Sequence, residues 1–460
     1  MKTLLLSCLA FLCVAMPLSA QTLPPATDLA SMDVFLRQMP KGGDLHNHYS
    51  GAIYAETYLE WAKRKNMLLD PKTLALVKAG DSAISIDSLR NNTNLYRTVL
   101  MAWSDLDYGN HSHQQISPDL QFFATFGYFG SISNAFLVDG LQEIKTRAVR
   151  ENVLYIETML KSTGYTLSDA SFDSAAAKLV LPRDSSLFDR LLDGFQAKIQ
   201  KDTAFKPRVA GFLRLVDSIH RGIDDSNFLM RFQTYVTRNT SPSVVYSGLV
   251  AAFFASATDP LVVGVNIVGP ENGAVALRDE RLHARMFRQL HKGFAGVHIA
   301  MHAGELRLGL VRPEDMGFHV RDAVFVSKAQ RIGHGVDIAQ EDSPQEILKA
   351  MADNGTCVEI NLTSNEFILG VSGASHPLNL YRQSGVPVTL STDDPGVSRN
   401  DLSSEYVLLA SRYGLTYPEI KRISENAVTC SFLDPATKKL LNTRLQARFQ
   451  AFEKGLKPAR

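Results

Sequence analysis

The chain is expected to fold as an α/β protein, a (β/α)8 barrel of the TIM type with a long helical insertion after its first strand. Three observations predict this. Short, often β-branched apolar runs recur eight times along the chain. Amphipathic stretches such as 315–329 and 344–354 separate most of them, so the repeating unit is a strand followed by a helix, and eight such units close into a parallel ring. No G-x-G-x-x-G follows an early strand, which removes the usual dinucleotide-binding reason to prefer the main alternative, an open doubly wound sheet.

The elements follow in chain order. Lys2 precedes an apolar run over 4–16 and then Pro17, Leu18, Ser19 and Ala20, the pattern of a secretory signal peptide over 1–20. The run is shorter than the roughly 20 residues that span a bilayer, which disfavours a membrane anchor. Cleavage is expected after Ala20, giving an exported product, periplasmic or secreted, with 21–460 as a single domain. Strands are expected at 43–48, 153–159, 209–216, 261–268, 297–302, 331–334, 356–362 and 387–392. The interval between the first two is too long for one crossover, so a helical insertion is placed at about 65–150. Its aromatic-rich part, 119–132, would form either a lid over the barrel mouth or a subdomain with its own core.

Composition bounds the ligand. Of the 460 residues 45% are hydrophobic, and 48 basic side chains face 47 acidic ones. Such a chain buries a large core and lacks the excess positive charge needed to coat nucleic acid or anchor to an anionic membrane. A small-molecule partner is expected. Beyond the leader only Cys357 and Cys430 remain of four cysteines. A chain this long has core enough without disulfides, so Cys357 reads as a buried small hydrophobe. Two cysteines without a C-x-x-C pair do not make a thiolate zinc site.

Ionisable residues gather where the expected strands end: His46 and His48, His302 and Glu305, His334, Asp393 and Asp394. In a parallel barrel these ends meet on one face. His46 and His48 are two apart in a strand and point to the same side. With His302 and Asp393 they would form a set of three nitrogens and one oxygen suited to a divalent metal. Each residue also has a structural reading. His302 could be a core histidine, Glu305 a solvated charge, and Asp393 or Asp394 the cap of a following helix. His298 is read as structural, and His376, His319, His111 and His113 as surface or lid residues.

The segments Gly43-Asp44-Leu45-His46-Asn47-His48, Met301-His302-Ala303-Gly304-Glu305, Arg331-Ile332-Gly333-His334-Gly335 and Ser391-Thr392-Asp393-Asp394-Pro395 resemble, in order, the four signature motifs of the adenosine deaminase family. The leader and insertion make the chain more similar to the secreted bacterial and growth-factor-related branch than to compact intracellular members. The resemblance implies one zinc ion held by His46, His48, His302 and Asp393, with His334 orienting and helping to deprotonate a water. It also implies that Glu305 protonates purine N1 as C6 is attacked, that Asp394 bonds N7, that the Gly269 backbone N–H meets N3, and that Phe122, Phe123 and Phe126 form an apolar lid. The substrate so implied is adenosine or 2′-deoxyadenosine, deaminated to the inosine product and ammonia. Two features depart from or refine the pattern. Tyr49-Ser50-Gly51 stands where Leu-Asp-Gly is usual, so the acid expected on the sugar is replaced by Ser50. The run Val268-Gly269-Pro270-Glu271 holds no lysine for a bridged two-metal site, which favours one metal. Alternatives are a metal-dependent hydrolase of another aminopurine, a phosphoester or an amide on the same barrel, and a non-catalytic nucleoside-binding protein, against which the proton donor Glu305 argues.

Overall fold

A computed structural model describes residues 23–110 and 116–456. The leader segment, and with it His111 and His113, lies outside them. Among the described residues eight parallel strands build the core: β1 (Asp44–His48), β2 (Tyr155–Met159), β3 (Leu229–Thr237), β4 (Val262–Val268), β5 (Ala300–Ala303), β6 (Arg331–His334), β7 (Cys357–Ile360) and β8 (Val388–Leu390). They form two four-stranded arcs, β1-β2-β3-β4 and β5-β6-β7-β8. Single bridges, Val265 with Ile299 and Asn47 with Asp393, join the arcs at both seams and complete the ring. The fold is the expected α/β barrel.

Most strands read as apolar runs because a parallel barrel strand is covered by helices outside and by its neighbours inside. In β4 every residue but Val263 is buried. Helix Ala274–Gly293, between β4 and β5, turns Leu282, Met286, Phe287 and Leu290 inward at helical spacing. Helix Pro344–Asn354 has the bounds expected from sequence. Pro344 opens it and Gly355, at φ 68°, closes it in the left-handed conformation.

The third strand is corrected. Residues 209–216 lie inside helix Phe205–His220, whose buried Val209, Phe212, Val216 and Ile219 are spaced as one helix face. The true strand, β3, carries Arg231, Gln233 and Thr234, polar residues that resemble a loop until their partners arrive from elsewhere. Gln233 donates to the Leu45 carbonyl and to Glu157, and Thr234 to the Lys161 carbonyl. The stretch 315–329 is also not one helix. A short helix, His319–Asp322, runs into a wider turn over Ala323–Ser327, which ends at Lys328 with φ 61°.

Between β1 and β2 the chain forms three two-residue antiparallel strands and then helices that include Pro118–Phe129 and Leu137–Arg150, so the insertion is not wholly helical. Helix Pro118–Phe129 packs on helix Leu362–Leu369, which follows β7, and the Tyr108 and Phe367 rings meet edge to face at 5.0 Å. The insertion therefore reaches across the C-terminal ends of the strands. Cys357 is also corrected: it is bonded to Cys430. Helix Tyr417–Thr429 packs along β8 and carries Cys430 at its end to within 6.2 Å, Cα to Cα, of Cys357. Sufficiency of the core says nothing about such proximity. Among the described residues no helix is long and apolar enough to cross a membrane.

Candidate functional site

The strand ends bring His46, His48, His302 and Asp393 together. Asp393 Oδ1 lies 3.3 Å from both His46 Nε2 and His48 Nε2, and His48 Nε2 stands 3.1 Å from His302 Nε2. Four ligands about 2.0–2.1 Å from one ion in a tetrahedral array lie about 3.3 Å apart, so these spacings fit a single divalent cation. The far side of two of the rings is anchored. His46 Nδ1 donates to Glu359 at 2.7 Å, and His302 Nδ1 donates to Asn266 Oδ1 at 2.9 Å. The Asn266 amide is itself oriented by donating to Gln233 Oε1 at 3.0 Å. These bonds leave Nε2 of His46 and of His302 free to face an ion.

Electrostatics support the same reading. Burial, reinforced by the His46 ring, pushes His302 well below the usual histidine range, and burial pushes His48 down to about 4; both shifts favour the neutral ring that a ligand needs. Burial opposes charge on His46, but hydrogen bonds to Asp393 and Glu359 outweigh it and raise the ring to about 10. Burial likewise opposes charge on Asp393, and the His46 hydrogen bond and neighbouring imidazoles outweigh it and hold the carboxyl well below its usual range. The centre of the cluster thus demands positive charge. Asp393 (φ 62°) and His334 (φ 69°) both sit in the left-handed region, a strain of about 1–3 kcal/mol each that is concentrated at functional sites. Asp393 is held there by its N–H donating to the His46 carbonyl and its carbonyl accepting from the His48 N–H, each at 2.9 Å.

Beside the cluster opens a cavity of about 400 Å³, lined by Ser50, Phe122, Phe123, Phe126, Gly269, Glu305, His334 and Asp394 together with His48, His302 and Asp393. Every candidate contact named from sequence therefore faces one space, with His46 fully buried behind it. Burial, with the charges of Asp393 and Glu271, pushes Glu305 well above the usual carboxylate range, and burial with the Asp393 charge does the same to Asp394. Burial thus favours the protonated form of both. The capping alternative for these aspartates does not hold, since the next helix, Leu402–Arg412, is capped by Asp401. Gly51, which keeps the usual residue of that segment, has no room for a side chain: a Cβ there would lie 1.5 Å from Asp394 Oδ1, so the carboxyl packs directly on the glycine. Gly269 adopts φ 99° at the cavity wall.

Sequence reasoning missed the residues beneath the site. Arg331 bridges Glu157 (2.6 Å) and Glu359 (2.5 Å), so the carboxylate that anchors His46 is itself neutralised inside the barrel. Arg238 donates to the His302 carbonyl, and Glu271 accepts from the N–H groups of Gly304 (3.0 Å) and Glu305 (2.8 Å). His319 and His376, expected as surface or lid residues, are buried. His319 donates to Glu271 at 2.6 Å, and His376 contacts Asn365. A polar residue in an otherwise apolar strand, such as Glu359 or Asn266, was the available signal. His298 stacks on Phe432, ring centroids 4.7 Å apart, as its structural reading requires.

A family model described as adenosine deaminase matches residues 210–448, just over half of the chain. The chain belongs to the adenosine deaminase family. The matched span holds His302, Glu305, His334, Asp393 and Asp394; the fold brings His46 and His48 of β1 to the same point from outside it. A protein named adenine deaminase from Rhizobium leguminosarum bv. trifolii is 34% identical over 234 residues, 50% of this chain and 66% of that protein, so the chain spans just under two thirds of this curated relative's length. The crystal structure of Arabidopsis ADAL complexed with IMP superposes with a TM-score of 0.60 at 18% identity, covering 91% of this chain and 99% of that one. An amidohydrolase from Burkholderia ambifaria with bound Zn gives a TM-score of 0.56 at 18% identity, covering 92% and 94%. At this identity these structures show that the family member shares their barrel.

Proposed function

We propose that this chain is a zinc-dependent hydrolytic deaminase that converts adenosine or 2′-deoxyadenosine to inosine or 2′-deoxyinosine and ammonia. The observation that carries this reading is the cluster of His46, His48, His302 and Asp393 at the wall of a cavity that also holds a separate carboxyl, Glu305, whose protonated form burial favours. A zinc ion held by His46, His48, His302 and Asp393 would supply a nucleophile at neutral pH by lowering the pKa of a water to about 7. The solved amidohydrolase with bound Zn supports that choice of metal.

The chain's own residues do the rest. Glu305 gives its proton to N1, which draws electron density from C6 and opens it to attack. Asp394, also a neutral acid, donates to N7, and the Gly269 backbone N–H meets N3. Phe122, Phe123 and Phe126 cover the ring and exclude bulk water, while Ser50, Tyr235 and Thr237 offer hydroxyls in the same cavity to a sugar.

A second reading, free adenine as substrate, is favoured by Ser50 standing where an acid was expected on the sugar, and by relatives that are named adenine deaminase. A turnover screen of adenosine, 2′-deoxyadenosine, adenine and AMP, followed by the adenine ultraviolet band and ammonia release, separates the two. The nucleosides are expected to exceed adenine in kcat/KM; the reverse order selects the second reading, and no turnover of any of them rejects both. We also propose that the chain is exported and sits in the secreted branch of the family. The leader pattern supports this, as does a disulfide of the kind that persists in oxidising compartments. Amino-terminal sequencing of the exported product should begin at Gln21.

A further inference from the structure

His376 belongs to none of the signature motifs, yet it is only 4% exposed and stands two contacts away from His334. One group fixes the polarity of the whole chain of contacts. The backbone N–H of Leu378 can only donate, and it meets His376 Nδ1 at 3.2 Å. Nδ1 is therefore an acceptor, and the neutral ring carries its proton on Nε2. That nitrogen lies 3.1 Å from Asn365 Oδ1 and donates to it.

An amide whose oxygen is engaged in this way turns its NH2 to the other side. Asn365 Nδ2 lies 2.9 Å from His334 Nδ1, and a second amide, Asn361 Nδ2, approaches the same atom at 3.3 Å. Amide nitrogens offer protons and no lone pair. Flipping Asn365 would set its NH2 against the His376 N–H and lose that bond. His334 Nδ1 must then accept, which leaves the ring proton on Nε2. This nitrogen has no hydrogen-bond partner among the described residues, while the ring itself lies against the metal cluster, its centroid 4.9 Å from that of His46 and 5.3 Å from that of His302. Glu305 Oε1, at 3.6 Å from Nδ1, is beyond hydrogen-bond reach, and a carboxyl that keeps its proton faces an acceptor nitrogen without conflict.

The two amides sit four residues apart at the start of helix Leu362–Leu369, one helical turn, which is why both reach a single atom. His334 and Asn365 are fully buried, so water has little access to compete for either.

We propose that His376, acting through Asn365, is a positioning residue that holds His334 in the tautomer protonated on Nε2. Its catalytic consequence rests on the deaminase reading above: His334 then presents a hydrogen-bond donor to the oxygen that attacks C6, rather than a lone pair that would take its proton. The sequence resemblance had implied help with deprotonation, and the contacts of Nδ1 reverse that role.

The test is long-range proton–nitrogen NMR of the zinc-loaded protein labelled with 15N-histidine, with the His334 signals assigned by their loss in His334→Gln. Between about pH 6 and 8, Nδ1 is expected at the shift of an unprotonated nitrogen and Nε2 at that of a protonated one. The opposite pattern, or two protonated nitrogens, overturns the proposal whether or not the protein deaminates anything. In turnover, His376→Leu should lower kcat about tenfold with KM and zinc content nearly unchanged, as is usual when the support of a site residue is removed. His376→Gln, whose amide can donate to Asn365 from the place of Nε2, should recover most of that loss. Asn365→Asp, which puts an acceptor against Nδ1, should move the proton to Nδ1 in the NMR spectrum and cost about a hundredfold in kcat. Wild-type nitrogen shifts in Asn365→Asp overturn the proposal, as does full activity in His376→Leu; loss of deamination in every form, with the expected shifts intact, falsifies only the deaminase reading.

Discussion

Glu305 and Asp393 carry the same functional group in one cavity and are driven in opposite directions. Asp393 is held ionised by imidazoles and the His46 hydrogen bond against the cost of burial, while Glu305, buried and facing the charges of Asp393 and Glu271, is held neutral. Two carboxyls with separated affinities for the proton are what a site needs to bind a cation with one and deliver a proton with the other. The sign of the pH dependence follows. A proton donor works only while protonated, so activity is retained below the raised pKa of Glu305 and lost as pH rises through it. An alkaline limb is expected in kcat/KM, and Glu305→Gln should cost about 10²–10⁴ in kcat. Elemental analysis of that variant should find the metal content unchanged, since Glu305 lies outside the proposed ligand set. Ordinary turnover by Glu305→Gln would remove the residue from the mechanism. A companion change acts through space alone. Gly51→Ala puts a methyl group where Asp394 Oδ1 already lies, so the carboxyl must move from its place in the cavity, where the proposed reading sets it against the purine. A kcat/KM loss of at least about tenfold, the worth of one hydrogen bond to a charged or strongly polar group, is expected with the circular dichroism unchanged.

At the scale of elements, legibility tracked where each residue finds its partner. Helix Pro344–Asn354 was readable at both ends because its start and stop signals, Pro344 and Gly355, are local. The signature residues were readable as well, because His46, His48, His302, Asp393 and Asp394 stand at strand ends in compact motifs. Residues 209–216 resemble a strand as a short apolar run between two valines, but Val209, Phe212, Val216 and Ile219 fall on one helix face. Strand β3 was missed because Gln233 and Thr234 are satisfied by Leu45, Glu157 and Lys161, all distant in sequence. The same holds for Asn266, Glu359 and His376, whose meaning lies entirely in tertiary partners. Helix Pro118–Phe129 tests the function of an element. Phe122, Phe123 and Phe126 line the cavity, and the Phe126 ring lies 5.4 Å from that of Phe129 and 6.0 Å from that of Phe122. A half-buried phenyl contributes roughly 1–2 kcal/mol to covering a ligand. Phe126→Ala should therefore raise KM about tenfold and change kcat much less. If kcat falls and KM does not, the helix serves the chemistry rather than the cover.

At the scale of the whole molecule, the ligand set has a mechanical consequence. The barrel is two four-stranded arcs, and at the seam between β8 and β1 the strands are joined by one bridge, Asn47 with Asp393. That bridge consists of the two 2.9 Å hydrogen bonds by which Asp393 meets His46 and His48. The candidate ligands straddle the same seam: His46 and His48 belong to β1, Asp393 follows β8, and His302 comes from β5 in the other arc. A cation bound there pulls both sides of the seam towards one point and offsets the repulsion and strain stored in a left-handed Asp393. Its removal should be felt as an opening of the ring as well as a loss of chemistry. A ligand present at a hundred times its Kd adds about 2.7 kcal/mol to stability, so dialysis against a chelator should lower the thermal midpoint, and added zinc should restore it. Hydrogen exchange locates the effect. The amides of His48 and Asp393 should lose protection first, while those of β6 and β7, paired along their length within one arc, should keep theirs. Uniform loss across the barrel, or none, would show that the cation does not hold the seam.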